Sequence, residues 1–294
     1  MDKEVVYAFF NNNNNNCKRF KNVREWLPRE LIEGNNKSID DNLKEYCTNK
    51  CEDPLDKINA GCLYLLNEFF KDASAFDGVA KNNIYIVQYI LIWLSYMLNL
   101  IKTQENVSKE HFYNTYIRNG SKYTTSINYI DDYNDYKDLI DTNDYFLSMD
   151  MSIISKLYDA FNILCDIYNE LDTNGSNCEK YSQKASQFVE TYKKIIIDRI
   201  IIEDNPHSLV LIILLTYYDN LKKKCEDFPS IPDIENIISE VTSSSSIASK
   251  LIPILSILVA IAIFLGISYK VNNKELKKII IIYMQTLTKK TYAS

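Results

Sequence analysis

Seven cysteines, Cys17, Cys47, Cys51, Cys62, Cys165, Cys178 and Cys225, are the residues of this chain best suited to covalent chemistry. Thiols in such numbers serve as cystines, as zinc ligands or as a nucleophile, and their spacing discriminates among these uses. All seven precede the long apolar run near the C-terminus and none lies within or after it. That distribution fits disulfides in an oxidising compartment on one side of a membrane. Seven is odd, so at least one thiol stays unpaired within a monomer, and the spacings match no standard framework that would fix the pairing. A set of buried or free thiols is the competing reading. Zinc would suit Cys47 and Cys51 with Cys62 nearby, but the four-residue step lacks a second ligand pair. A thiol enzyme would need an electropositive, accessible cysteine, for which Cys225 beside Lys222, Lys223 and Lys224 is the one candidate.

Other chemistry is sparsely provided. Histidine occurs only at His111 and His207, which leaves no zincin motif and few options for a triad, and the six glycines form no phosphate loop. The expectation is a non-enzymatic protein with no catalytic residues, no cofactor and no metal. Paired acids such as Asp131 and Asp132 read as a solvated face, and the many tyrosines as packing rather than ligand cages. Sequons at Asn36, Asn106, Asn119 and Asn174 add little in a chain this rich in Asn, Ser and Thr. The net charge is -6; from Lys270 onward six lysines and one acid give +5, which leaves -11 for residues 1–269. So acidic a body should not bind nucleic acid.

The elements that must carry these residues are helices. Six glycines and six prolines in 294 residues are too few for a turn-rich β fold, and long stretches carry helical spacing. The fold class is therefore all-α, a helical bundle. Asp53 and Pro54 open a helix through Phe70, with Leu55, Ile58, Cys62, Leu65, Leu66 and Phe69 on one stripe. A short helix is expected over Val23 to Ile32, and Ser108 caps one that Gly120 ends. The Tyr129 to Tyr145 stretch reads as short helix and loop. Ile153, Ile154, Leu157, Phe161, Leu164, Cys165 and Tyr168 define a long amphipathic helix with Cys165 on its buried face. Ser176 or Asn177 begins the next, towards Ile197, and Asn205 with Pro206 a last one that ends at the three lysines. Asn11 to Asn16 is a homopolymer expected to stay disordered.

Leu251 to Tyr269 is a nineteen-residue run without a charge, close to the roughly 20 residues that cross a bilayer as a helix. Lys270, Lys274, Lys277 and Lys278 follow it, whereas the twenty residues before it hold Lys250 against Asp233, Glu235 and Glu240. The positive-inside rule then puts the C-terminal tail in the cytoplasm, where its lysines can lie against anionic lipid. The opening MDKEVVYAFF is not read as a signal peptide, so translocation would depend on the membrane helix. A second uncharged run, Ile84 to Ile101, contains Gln88, Ser95, Asn99 and three tyrosines that would need partners in lipid, and reads as a core helix. The domains expected are an Asn-rich stretch 1–16, a helical cysteine-containing domain 17–227, a Ser/Pro stalk 228–249, a transmembrane helix 250–269 and a lysine-rich tail 270–294.

The words CKRFKNVREWLP from Cys17, YCTNKC ending at Cys51, DPLDKINAGCLYLLNEFF from Asp53, FNILCDIYNE around Cys165, NCEKYSQKA at Cys178 and the serine stalk running into the apolar segment resemble the Plasmodium interspersed repeat (PIR) variant antigens, in particular their rodent-malaria yir members. The resemblance spans about residues 17 to 270 and keeps the family's order. It implies a variant antigen on the infected red-cell surface or vacuole membrane, concerned with antigenic variation and host interaction; it supplies no receptor, and a host-cell or serum protein ligand is left unidentified. All seven cysteines match places where the family carries cysteine, with pairing and oligomeric state left open. Arg29, Leu31 and Glu33 are similar to the parasite export motif. VVYAFFNNNNNN and the tail after Lys270 depart from the family and are expected to be translated introns, an idea that unbroken transcript reads would refute. The alternative function is a membrane-anchored scaffold at the host–parasite boundary that meets no host receptor.

Overall fold

The computed structural model describes residues 15–28, 38–80, 83–101, 109–174, 178–201 and 208–232. Within them the chain is helical, and an isolated bridge between Ser126 and Asp135 stands in place of any strand. Helix α1 is Asn15–Trp26, followed by a 3-10 turn at Asp41–Tyr46, α2 at Pro54–Phe70, α3 at Ala73–Gly78 and α4 at Ile86–Leu100. Then come α5 at Lys109–Phe112, which runs into a π turn over Tyr113–Ile117, and the short α6 at Tyr136–Asp141 and α7 at Tyr145–Ser148. Three long helices complete the domain: α8 at Met151–Asn174, α9 at Ser182–Ile201 and α10 at Ser208–Lys224.

Local chemistry explains most of these boundaries. Asp53 caps α2 by accepting a hydrogen bond from the Asp56 amide at 2.9 Å, with Pro54 at the first helical position where a missing N–H is harmless. Asp72 and Asp135 cap α3 and α6 in the same way, at 2.7 and 2.8 Å. Gly120 is required where α5 and its π turn end, since a Cβ there would lie 2.0 Å from the Tyr116 carbonyl oxygen.

Helices α2 and α4 form the centre and are buried almost all round. They approach closely at Gly61, where an added Cβ would lie 2.6 Å from the Trp93 ring, so the indole rests on bare backbone. Helix α8 packs on α4, with Phe161 stacked on Tyr89 at 4.2 Å between centroids and Tyr158 on Tyr96 at 4.0 Å. Helix α9 packs on α8 and joins α10 through Phe188 stacked on Tyr218 at 4.7 Å. Ring pairs at these distances add about 0.5–1.5 kcal/mol each beyond the area they bury.

The uncharged run Ile84 to Ile101 is thus a core helix. Its fifteen helical residues reach only about 22 Å, short of the roughly 30 Å hydrocarbon layer. Among the described residues no helix is long and apolar enough to cross a membrane; Leu251 to Tyr269 and the lysines after it lie outside them.

Three expectations need correction. Helix α1 begins at Asn15, so the Asn run is not loose to its end: Asn16 is buried and Cys17, Phe20, Val23 and Leu27 form the inner stripe. The helix expected over Val23 to Ile32 therefore lies a good two turns earlier. A 3-10 turn at Glu179–Tyr181 precedes α9, which starts at Ser182 rather than at Ser176 or Asn177. Phe228, which the sequence assigns to the stalk, is buried; Lys222 Nζ donates to its carbonyl at 2.7 Å and the Tyr218 hydroxyl to the Pro229 carbonyl at 2.6 Å. The folded unit thus runs to at least residue 229.

Candidate functional site: the cystine framework

Six of the seven cysteines are paired. Cys17 is bonded to Cys165, Cys47 to Cys51 and Cys178 to Cys225. Their Cα separations, 4.9, 5.6 and 5.5 Å, lie in the range a disulfide spans. Cys62, a candidate for pairing on sequence, is not bridged: it lies fully buried on the inner face of α2 with every other thiol already spent. The zinc alternative falls with it, since Cys47 and Cys51 are bonded to each other. Cys225 is likewise bonded, so it is no free nucleophile, and Lys222 beside it is turned to the Glu226 and Phe228 carbonyls.

Each bridge sits at a different kind of junction. Cys17–Cys165 links α1 to α8 across 148 residues. Around it Phe20 wedges between Phe69, 5.6 Å away, and Phe161, 4.8 Å away. Arg19 Nε meets Glu68 of α2 at 2.7 Å and Arg24 meets Asp166 of α8 at 2.5 Å. These pairs are part-exposed and contribute about 0.2–1 kcal/mol each. Cys178–Cys225 ties the entry of α9 to the exit of α10 across 47 residues. Lys184 of α9 also reaches Glu170 of α8 at 3.1 Å, and Lys156 reaches Asp198 at 2.6 Å.

The third bridge closes a loop of four. Cys51 in that loop has φ 51°, a left-handed conformation that non-glycine residues seldom adopt. The loop lies over a polar row that the sequence did not single out. Asn59 Nδ2 donates to Thr48 Oγ1 at 2.9 Å, and Asn49 Nδ2 to the Asp56 carboxylate at 3.3 Å. From the other side the Tyr116 hydroxyl donates to Asp56 Oδ1 and the Tyr123 hydroxyl to Asn59 Oδ1, both at 2.8 Å. Asp56, Asn59 and Cys62 recur every three residues, so they share one face of α2. The signal was there in the sequence, as polar residues placed where a packed helix would carry apolar ones.

Burial raises the Asp56 carboxyl above its usual 3.8, with the hydrogen bond from Tyr116 opposing the shift. Burial also pushes the Cys62 thiol up to about 12, against the effect of the neighbouring Tyr123 hydroxyl. A thiol held this way is inert. Among the described residues no group of His, Cys, Asp or Glu is arranged to hold a metal ion. Of the sequons, Asn119 is on the surface with its amide donating to the Asn114 carbonyl at 2.7 Å, and Asn174 ends α8; Asn36 and Asn106 lie outside the described residues, as does Arg29 to Glu33.

A helical domain closed by three cystines, two of them joining distant parts of the chain, is the class defined here. The family profile described as Plasmodium variant antigen protein Cir/Yir/Bir matches residues 17–270, and the chain belongs to that family. The solved structure titled "Structure of a Plasmodium PIR protein ectodomain" is similar, at 30% sequence identity and a TM-score of 0.54. The match covers 74% of this chain and 98% of that one. No curated protein matches the chain.

Proposed function

We propose that this protein is a single-pass membrane variant antigen, non-enzymatic, whose helical domain stands outside the cytoplasm and is displayed at the surface or vacuole membrane of the infected red cell. The observation that carries the reading is the joint one of family membership over residues 17–270 and three cystines within the folded domain, because cystines persist in oxidising compartments. The uncharged segment Leu251 to Tyr269 supplies the anchor, and Lys270, Lys274, Lys277 and Lys278 hold the tail on the cytoplasmic side. A rigid helical core under variable surface loops suits a molecule under selection for antigenic change, with a host-cell or serum protein as its ligand.

Protease treatment of intact infected cells tests this. Loss of an epitope within residues 17–232 while a tail epitope survives is the expected result. Full protection of the domain would favour the scaffold at the host–parasite boundary instead.

A further inference from the structure

The Cys47–Cys51 loop differs from the other bridges in what it encloses and in what it covers. Cys47 and Cys178 are part-exposed and their partners Cys51 and Cys225 buried, whereas both Cys17 and Cys165 are buried. Thr48, Asn49 and Lys50, which the Cys47–Cys51 bridge encloses, are exposed, so access sets Cys17–Cys165 apart and loop length separates the other two. A thiolate attacks a disulfide in line at one sulfur, so access to that sulfur governs the rate. The bridge also closes the shortest loop, and so adds the least chain-entropy stabilisation. Opening it lets Cys51 leave its left-handed conformation, which favours the reduced form.

The loop is also a cover. It holds down Asn59 through Thr48 and Asp56 through Asn49, and it is held from outside by Lys122, whose Nζ donates to the Glu45 carbonyl at 2.9 Å and the Cys47 carbonyl at 3.3 Å. Beneath it the row on α2 runs inward from Asp56 through Asn59 to Cys62, with Tyr116 and Tyr123 on its far side. Once the loop is released, water can replace its hydrogen bonds to Asp56 and Asn59.

We propose that the Cys47–Cys51 loop is a reducible latch over the buried polar row of α2, opened by a small thiol while the two long-range bridges stay closed, and that its opening uncovers Cys62. In the reaction two reductant thiols are oxidised to one disulfide. The Cys47–Cys51 bond breaks, and each of its sulfurs takes up one of the two protons released.

The test is differential alkylation of the full chain, purified oxidised in detergent, with reduced glutathione titrated in under native conditions and the modified cysteines located by peptide mass mapping. Cys47 and Cys51 should become alkylated roughly tenfold or more faster than Cys17, Cys165, Cys178 and Cys225, and Cys62 should become roughly tenfold more reactive in molecules whose latch is open. Opening of Cys178–Cys225 or Cys17–Cys165 first or at the same rate would overturn the proposal. So would a Cys62 that stays equally protected after the latch opens. The variant C47S with C51S gives an independent check without reductant: Cys62 labelled as in the opened wild type supports the latch, and Cys62 protected in a helical, folded variant refutes it.

Discussion

The junction at Cys17–Cys165 and the loop at Cys47–Cys51 carry the same covalent bond to different ends. At the first, α1 meets α2 and α8 through Phe20, Phe69 and Phe161, two ion pairs and a bridge spanning 148 residues. At the second, a bridge spanning four residues shapes a loop that reaches the core through the buried Cys51 and through hydrogen bonds at Thr48 and Asn49. In the chain-entropy account the first removes about 5 kcal/mol of freedom from the unfolded chain and the second about 2 kcal/mol. The first bridge therefore sets whether the N-terminal helix belongs to the domain; the second governs access to what lies beneath.

Breaking the comparison starts with its strong arm. C17S with C165S should lower unfolding stability by about 5 kcal/mol, measured by urea titration of the oxidised protein, with fraying concentrated in α1. Phe161→Ala removes the ring that meets both Phe20 and Tyr89, and a loss of about 4 kcal/mol is expected in the same assay. C47S with C51S should cost about 2 kcal/mol or less. A loss equal to that of the Cys17–Cys165 variant would erase the distinction between the two regions.

The smallest effect is a pH dependence. Because burial raises the Asp56 carboxyl in the folded state, the fold prefers the protonated form. That contribution is whole below the unfolded value of about 3.9 and is lost as pH rises through the raised value. Asp56→Asn keeps an acceptor for the Tyr116 hydroxyl and does not ionise. Its stability should fall less than the wild type's between acidic and neutral pH, in thermal unfolding followed by circular dichroism; identical profiles would contradict the burial argument.

Much of the architecture could be read from residues alone. Asp53 and Pro54 announce α2, the run from Ile153 to Tyr168 announces α8, and the polar residues within Ile84 to Ile101 mark α4 as a core helix. Helix α1 was harder because its charged outer face and the preceding asparagines mask a stripe at Cys17, Phe20, Val23 and Leu27. The π turn at Tyr113–Ile117 has no local signature, since an extra residue per turn is set by what packs against it. Pairing of the cysteines was beyond reach for a topological reason: Cys17 and Cys165 are neighbours only because α1 folds back across α2 and α8. The polar row under the Cys47–Cys51 loop was missed because Tyr116 and Tyr123, which satisfy it, are far away in sequence.

Non-reducing peptide mapping of the protein taken from parasite membranes, with free thiols blocked at lysis, addresses the oxidised, extracytoplasmic domain most directly. The expected result is linked peptides for Cys17–Cys165, Cys47–Cys51 and Cys178–Cys225, with Cys62 alone blocked. Seven blocked thiols, or a Cys62 joined to another cysteine, would contradict it.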